Sequence, residues 1–143
     1  MKTVVVNKDE IKREWFLVDA TDVPVGRLAS KIATTLIGKR KVAYSPNQDH
    51  GDFVVVINCD KIKITGTKAD TKTYFHPSTK PGSSKYIPYK RQMAKDSTQI
   101  IRHAVWGMIP KGPLGRAIYK KLHAYTNGQH PHAAQKPQAL KLS

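Results

Sequence analysis

Residues 15–38 read WFLVDATDVPVGRLASKIATTLIG, and this stretch carries the clearest signature of the fold class. It opens with a short apolar run, residues 15–20, which is typical of a buried strand that ends at turn-forming residues. Pro24 then suits the first turn of a helix, where its missing N–H costs nothing. From residue 27 to residue 37 the apolar side chains recur at helical spacing, and Gly38 closes the pattern. The stretch therefore predicts a strand followed by an amphipathic helix.

The next apolar run completes a parallel unit. Residues 53–58 (FVVVIN) are rich in β-branched side chains and show no polar alternation, which is typical of a strand covered on both faces. Strand, helix and strand predict a right-handed βαβ unit and hence an α/β fold. Residues 61–65 indicate a further short strand, and residues 72–75 an extended segment. The apolar spacing in residues 97–108 and 114–122 predicts two more helices.

The length of 143 residues predicts a single domain that spans the chain, residues 1–143. We place its core at about residues 15–125. A basic loop at about residues 77–90 is rich in proline, glycine and serine, and we expect it to become ordered on binding. From about residue 126 to residue 143 the composition indicates an extended C-terminal tail.

Charge is the strongest global feature of the sequence. The formal net charge is +15, and residues 78–143 contain a single acidic residue, Asp96. A segment of one sign gains free energy by lying on a polyanion, because each neutralised phosphate releases condensed counterions. A membrane surface would instead require an amphipathic helix with large apolar residues opposite its cations, and the sequence offers no strong example. The charge therefore favours a nucleic-acid partner and no membrane.

The cysteine content and the apolar runs indicate the compartment. Cys59 is the only cysteine, so an intramolecular disulfide is impossible and a cytosolic setting is the default. No apolar run approaches the ~20 residues that span a bilayer. Residues 1–14 lack the apolar stretch of a secretory signal. We therefore expect a cytoplasmic protein.

The basic clusters carry the prediction of RNA binding. Their cations can reach phosphates, while the interleaved Tyr86 and Tyr89 can stack on unpaired bases. The alternative is a solvated loop whose tyrosines fold back onto the core. The predicted RNA-binding residues are Lys39, Arg40, Lys41, Lys68, Lys72, Lys80, Lys85, Lys90, Arg91, Lys111, Arg116, Lys120, Lys121, His130 and His132.

The sequence Gly112-Pro113-Leu114-Gly115 has the G-x-x-G spacing of the loop that clamps the backbone in KH domains. A KH domain needs an antiparallel sheet, so the parallel βαβ pattern disfavours that fold. The amides at this helix start, together with Lys111 and Arg116, still predict a seat for a phosphate.

Three histidines near the C-terminus invite a metal-site hypothesis. His123, His130 and His132 lack both a nearby cysteine and the helical spacing that zinc sites commonly use. We therefore predict no metal, and we expect His130 and His132 to hydrogen-bond RNA or backbone groups.

Catalytic signatures are few. The chain has no G-x-S-x-G elbow, no G-x-x-x-x-G-K-[ST] loop and no G-x-G-x-x-G after the first strand. Asp49, His50 and Asp52 could hold an acid/base pair, although such residues before a strand more often form a turn. Cys59 has no local catalytic signature and is expected to be a buried apolar residue. We predict no enzymatic activity, no cofactor and no small-molecule substrate.

Two other classes of function remain open. An RNA-modifying or nucleotide-using α/β enzyme would show turnover, or ligand binding in the crevice at the carboxyl ends of the strands. A free regulatory RNA binder would be found outside any stable RNA–protein particle.

Twelve blocks along residues 15–137 occur together in one order. They are Asp19-Ala20, Val25-Gly26-Arg27-Leu28-Ala29, Gly38-Lys39, Gly51-Asp52, Asn58, Thr65-Gly66 with Lys68, Pro81-Gly82, Ala104-Val105, Gly107-Met108-Ile109-Pro110-Lys111, Leu114-Gly115-Arg116, His130-Pro131-His132-Ala133-Ala134-Gln135 and Pro137. In these blocks the chain resembles the bacterial large-subunit ribosomal protein L13 family. It departs from the family pattern at residues 75–78 (FHPS), at Gly82-Ser83, at Gln135-Lys136 and in its last three residues.

The resemblance implies a three-layer α/β/α domain around a four-stranded, mainly parallel sheet. It also implies a structural role on large-subunit ribosomal RNA, early in subunit assembly and beside neighbouring large-subunit ribosomal proteins. The expected location is therefore the cytoplasmic ribosome.

Overall fold

A computed structural model describes Asn7 and residues 10–140 of the chain. The strands are β1 (Trp15–Asp19), β2 (Phe53–Ile57), β3 (Thr73–His76), β4 (Lys85–Pro88), β5 (Leu122–Ala124) and β6 (Gln138–Ala139). The helices are α1 (Val25–Ile37), α2 (Lys68–Thr71), α3 (Tyr89–Lys95), α4 (Thr98–Met108) and α5 (Pro113–Tyr119). Short 3-10 turns occur at Cys59–Lys61 and Ala133–Gln135.

The predicted unit of strand, helix and strand is present. β1 and β2 are parallel, with Trp15 beside Phe53, and α1 connects them. The helix ends at Gly38, whose φ of 80° lets its N–H reach two carbonyls of the last turn. A Cβ on Gly38 would lie 2.8 Å from the carbonyl carbon of His50, so the glycine also allows the chain entering β2 to pass closely.

The main sheet has the strand order β5-β2-β1-β6, and every neighbouring pair in it is parallel. The C-terminal segment supplies the edge strand β6. Phe16 lies beside Gln138, and the Leu140 N–H donates to the Leu17 carbonyl at 2.9 Å. The predicted α/β class with a mainly parallel four-stranded sheet is confirmed.

Helices cover one face of this sheet. Alternate residues of a strand point to opposite faces, and the even-numbered residues of β1 and β2 point toward α1 and α4. The side chains buried together here include Val18, Val54, Val56, Leu28, Ile32, Leu36, Ile100, Ile101 and Val105. Full burial of each large aliphatic side chain contributes about 1.5–3 kcal/mol, so this layer supplies much of the driving force for folding.

The C-terminal segment covers the opposite face. Trp15 stacks on Phe53 with 4.4 Å between the ring centroids and 7° between the ring planes. The His132 ring lies 5.1 Å from Trp15, and its Nε2 is 2.8 Å from the Tyr125 hydroxyl oxygen. Helices, sheet and this segment with its 3-10 turn make up the three layers of the α/β domain.

The structure of residues 61–65 differs from the sequence prediction. These residues form no strand, and only Lys63 makes an isolated bridge, to Pro24. The preceding 3-10 turn begins after Asn58, whose φ of 56° turns the chain away from the direction of β2. The sheet therefore continues from β2 to β5 instead.

Two further boundaries differ from the sequence prediction. The basic loop at residues 77–90 contains β4, which pairs antiparallel with β3, and it leads directly into α3. The helix predicted at residues 114–122 ends at Tyr119, because Leu122 pairs with Val54 as the first residue of β5.

No helix within the described residues is long and apolar enough to cross a membrane. The prediction about an export signal concerns residues 1–14, most of which lie outside the described part of the chain.

Candidate nucleic-acid interface

Most of the predicted RNA-binding cations are exposed. Eight of them carry charged groups that make no hydrogen bond, ion pair or ring contact with the described part of the chain. By their position in the chain we group them as an α1-end surface (Lys39 and Arg40), a hairpin surface with its flanking helices (Lys68, Lys80, Lys85 and Arg91) and an α5 surface (Arg116 and Lys120). Unpaired exposed cations can bind phosphate without first breaking a contact within the protein.

Lys121 belongs to the protein interior and not to this set. Its side chain is 6% exposed, its Nζ donates to the Leu36 carbonyl at 3.1 Å, and it forms an ion pair with Asp49. Burial lowers the pKa of Lys121, and the carboxylate of Asp49 opposes that shift. Lys121 therefore has a structural role, in which it ties the end of α5 to the end of α1.

Lys41 is also engaged within the protein. Its Nζ forms an ion pair with Asp52 and donates to the Lys12 carbonyl at 2.8 Å. The Asp52 carboxylate also accepts the Glu14 N–H at 2.9 Å. Of the basic run at residues 39–41, the first two side chains therefore have no partner among the described residues, whereas Lys41 is engaged.

These ion pairs give the polar cluster that precedes β2, Asp49, His50 and Asp52, a structural role. Asp49 and Asp52 each neutralise a lysine, and Asp49 also lies 3.7 Å from an Arg13 nitrogen. The Asp49 side chain additionally accepts the Gly51 N–H, which forms the turn before β2. His50 is 2% exposed. The arrangement is a structural cluster and not an accessible acid/base pair.

The β3–β4 hairpin exposes two aromatic rings. Phe75 lies opposite Tyr86, their ring centroids are 5.0 Å apart, and the two residues are 50% and 68% exposed. Tyr89, which the sequence placed among the candidates for stacking, is buried at the start of α3. Phe75 was absent from the sequence prediction, because only the strand register shows that it faces Tyr86.

Three lysines line a shallow groove between the start of α1, residues 63–65 and α4. These are Lys63, Lys68 and Lys72, and Met108 also contributes to the groove. The Lys72 Nζ lies 5.3 Å from the centroid of the Tyr74 ring. Lys63 was not among the predicted RNA-binding residues, and it lies in the segment for which the sequence predicts a short strand.

Lys90 forms an ion pair with Asp70, with 2.6 Å between Nζ and Oδ1. The Asp70 carboxylate raises the pKa of Lys90 by hydrogen bonding. Both side chains are at least 70% exposed, so water and salt weaken the pair and a phosphate could replace the carboxylate.

The predicted phosphate seat at the start of α5 has a different local explanation. Lys111 donates from Nζ to the Trp106 carbonyl at 2.5 Å and lies 4.4 Å from the centroid of that ring. A Cβ on Gly115 would lie 1.8 Å from the Pro110 carbonyl oxygen. The second glycine of the G-x-x-G pattern is thus required for packing, and Arg116 remains the free cation of this segment.

His130 and His132 contact the protein itself. The His132 ring lies 4.5 Å from His123 and hydrogen-bonds Tyr125, while His130 Nδ1 accepts the His132 N–H at 3.2 Å. The sequence analysis expects these histidines to hydrogen-bond RNA or backbone groups. In the structure their hydrogen-bond partners are groups of the protein itself. Within the described residues, no group of histidine, cysteine and acidic side chains could hold a metal ion.

Cys59 lies in the core, where burial raises the pKa of its thiol to about 12. A thiol with this pKa is not deprotonated near neutral pH, so Cys59 is not a nucleophile.

The chain matches known proteins along almost its whole length. The family model described as "Ribosomal protein L13" matches residues 13–131. A protein of Dechloromonas aromatica named "Large ribosomal subunit protein uL13" is 51% identical over 142 residues, covering 99% of this chain and 100% of that protein. Proteins of the same name from Pseudomonas putida F1 and Vibrio atlanticus are 47% and 45% identical with the same coverage.

Proposed function

This chain belongs to the ribosomal protein L13 family, a family of non-enzymatic ribosomal proteins, and we propose that it is a structural constituent of the large ribosomal subunit. It binds large-subunit ribosomal RNA, supports early subunit assembly and lies beside neighbouring ribosomal proteins. Its site of action is therefore the ribosome in the cytoplasm. The observation that carries this proposal is the set of exposed cations on the three surfaces, which make no ion pair with the described residues.

Binding through these surfaces is mainly to phosphates and to the shape of the RNA. Lysine and arginine side chains on helix ends and loops can neutralise backbone phosphates from several directions. Such contacts fix the position of a protein on RNA but carry little sequence information. Each neutralised phosphate also steepens the salt dependence of the affinity.

The first test is sedimentation of a cell lysate through sucrose gradients at moderate and at high salt. We expect the protein to migrate with the large subunit at moderate salt and to leave it only under stripping conditions. A protein found mainly at the top of the gradient would overturn the proposal and favour a free RNA binder.

The second test compares Arg116→Ala with Lys61→Ala, both at exposed positions. Loss of a desolvated contact between Arg116 and phosphate should weaken binding to protein-depleted large-subunit RNA by about 1–3 kcal/mol. The slope of log affinity against log salt should fall by roughly 0.7–0.9. Lys61→Ala removes the same charge outside the three surfaces, so it should change neither quantity by as much. If the two variants lowered the affinity and the salt slope equally, Arg116 would make no specific contact and the α5 surface would not belong to the RNA interface.

A further inference from the structure

We propose that the Phe75–Tyr86 pair on the β3–β4 hairpin is a stacking site for an unpaired RNA base. This inference rests on the RNA-binding function proposed above. It adds a specific contact to a surface that otherwise recognises only phosphate.

The fold does not need these two rings. In the hairpin, Tyr74 and Ile87 form the cross-strand pair on the face opposite to Phe75 and Tyr86. Tyr74 is 5% exposed and packs edge-on against His103 of α4, so this inner face already attaches the hairpin to the domain. Among the described residues, four large apolar side chains are exposed, and two of those four are Phe75 and Tyr86.

The geometry of the pair suits a planar ligand. The ring centroids are 5.0 Å apart, the planes are tilted by 44°, and both residues are at least 50% exposed, so aromatic surface remains accessible to a ligand. Nucleobases stack on aromatic faces of this kind, and every base offers a π-face, so such a site takes bases with little preference among them.

The surrounding charge selects a polyanion over a protein surface. Residues 71–95 contain six lysines and arginines and no carboxylate. Lys85 precedes Tyr86 along β4, so its long side chain starts from the opposite face of the hairpin, and Lys80 lies in the turn of the same hairpin. One aromatic pair is also small compared with the roughly 800 Å² that each partner buries in a stable protein interface. An RNA base that stacks on the two rings, with the phosphates of its strand near these lysines, accounts for both the exposed aromatic pair and the positive charge around it.

The first experiment uses a single-stranded RNA that contains 2-aminopurine, whose fluorescence is quenched by stacking. The wild-type protein should quench it, and Tyr86→Phe, which keeps the ring, should quench it equally. Tyr86→Leu keeps an apolar side chain but removes the aromatic face. It should abolish the quenching and weaken binding by roughly 5- to 100-fold without changing the salt slope.

Lys85→Gln is the electrostatic control for the same RNA. The Lys85→Gln variant should still quench the 2-aminopurine fluorescence, while the slope of log affinity against log salt should fall by roughly 0.7. If Tyr86→Leu quenches and binds like the wild-type protein while Lys85→Gln loses affinity, the stacking site is wrong and the RNA-binding function stands. If the wild-type protein binds protein-depleted large-subunit RNA but does not quench the oligonucleotide, the stacking site is wrong, and if it binds neither RNA, both proposals are wrong. Because Tyr86 is exposed, circular dichroism should show unchanged folding in each variant.

The second experiment tests the partner in the assembled particle. A photocrosslinking amino acid, benzoylphenylalanine, replaces Tyr86, and large subunits that contain the variant are irradiated. A crosslink to ribosomal RNA supports the stacking site. A crosslink only to another ribosomal protein would overturn it and would assign the rings to a protein contact.

Discussion

Lys120 and Lys121 are adjacent residues of the same type, yet their environments are opposite. Lys120 is exposed after the end of α5, whereas Lys121 is buried against the Leu36 carbonyl and paired with Asp49. The partner carboxylate lies 72 positions earlier in the chain. The difference therefore arises from tertiary packing, and each lysine should respond to substitution in its own way.

Lys121→Ala should destabilise the protein by about 2–4 kcal/mol, because it leaves the Asp49 carboxylate partly buried beside only the more distant Arg13 and also creates a cavity. The measurement is the free energy of unfolding from urea titration of the free protein. Lys120→Ala is the matched control and should stay within about 0.5 kcal/mol of wild type.

The same two variants separate stability from RNA binding. Lys120→Ala should lower the salt slope of RNA affinity, whereas folded Lys121→Ala should keep the wild-type slope. A reduced slope in Lys121→Ala with unchanged stability would contradict the structural role of Lys121 and restore it to the interface.

β1, α1 and β2 could be predicted from sequence because their signals are local. A run of β-branched residues and a helical apolar stripe ending at Gly38 specify these elements without knowledge of distant contacts. β6 has only two residues, Gln138–Ala139, and no strand signature, so its pairing depends on the tail being held against the sheet. α3 is short and follows Pro88, and its neighbours in sequence resemble a loop.

The contact between β5 and the tail should make stability depend on pH. His123 of β5 lies 5.7 Å from the Trp15 ring and 4.5 Å from His132. Burial lowers the pKa of His123 from its ordinary 6.5, and the charges of His132 and Arg102 act in the same direction. The unfolded chain therefore binds this proton more readily than the folded protein does.

The sign of the effect follows from that difference. The stabilisation is complete above pH 6.5 and is lost as the pH falls through the lowered pKa of the folded state. The free energy of unfolding should thus decrease from pH 7.5 to pH 5. His123→Phe keeps an aromatic ring beside Trp15 and should show a smaller decrease, whereas His103→Gln should leave the His123 contribution in place. If the free energy of unfolding decreased equally with falling pH in the wild-type protein and in His123→Phe, this account would be contradicted.

The unequal distribution of charge along the chain was visible in the sequence, and it indicated the class of ligand. Which cations are available was not visible, because that depends on ion pairs such as Lys41 with Asp52 and on ring contacts such as Lys111 with Trp106. The exposed aromatic pair also depends on the register of β3 with β4. Composition thus predicts the class of partner, and the fold determines which cations remain available for the proposed contacts.

The net charge of +15 should give salt opposite effects on folding and on RNA binding. Repulsion among unpaired cations destabilises the free protein at low ionic strength, where the screening length is about 30 Å at 0.01 M compared with 10 Å at 0.1 M. Raising the salt from 0.01 M to 0.3 M should therefore increase Tm by roughly 3–5 °C, equivalent to about 1 kcal/mol. The same change should weaken RNA binding, because the release of condensed counterions into a more concentrated salt solution gains less entropy.

Thermal unfolding followed by circular dichroism measures the first effect, and RNA titration at each salt concentration measures the second. A variant with Lys85→Gln, Arg91→Gln and Arg116→Gln should show a smaller response in both, since it removes repelling charges from exposed positions. RNA added at low salt should raise Tm in the wild-type protein, because a ligand that binds the folded state stabilises it. A Tm that falls with salt would instead mean that attraction in pairs such as Lys121 with Asp49 outweighs the repulsion among the exposed cations.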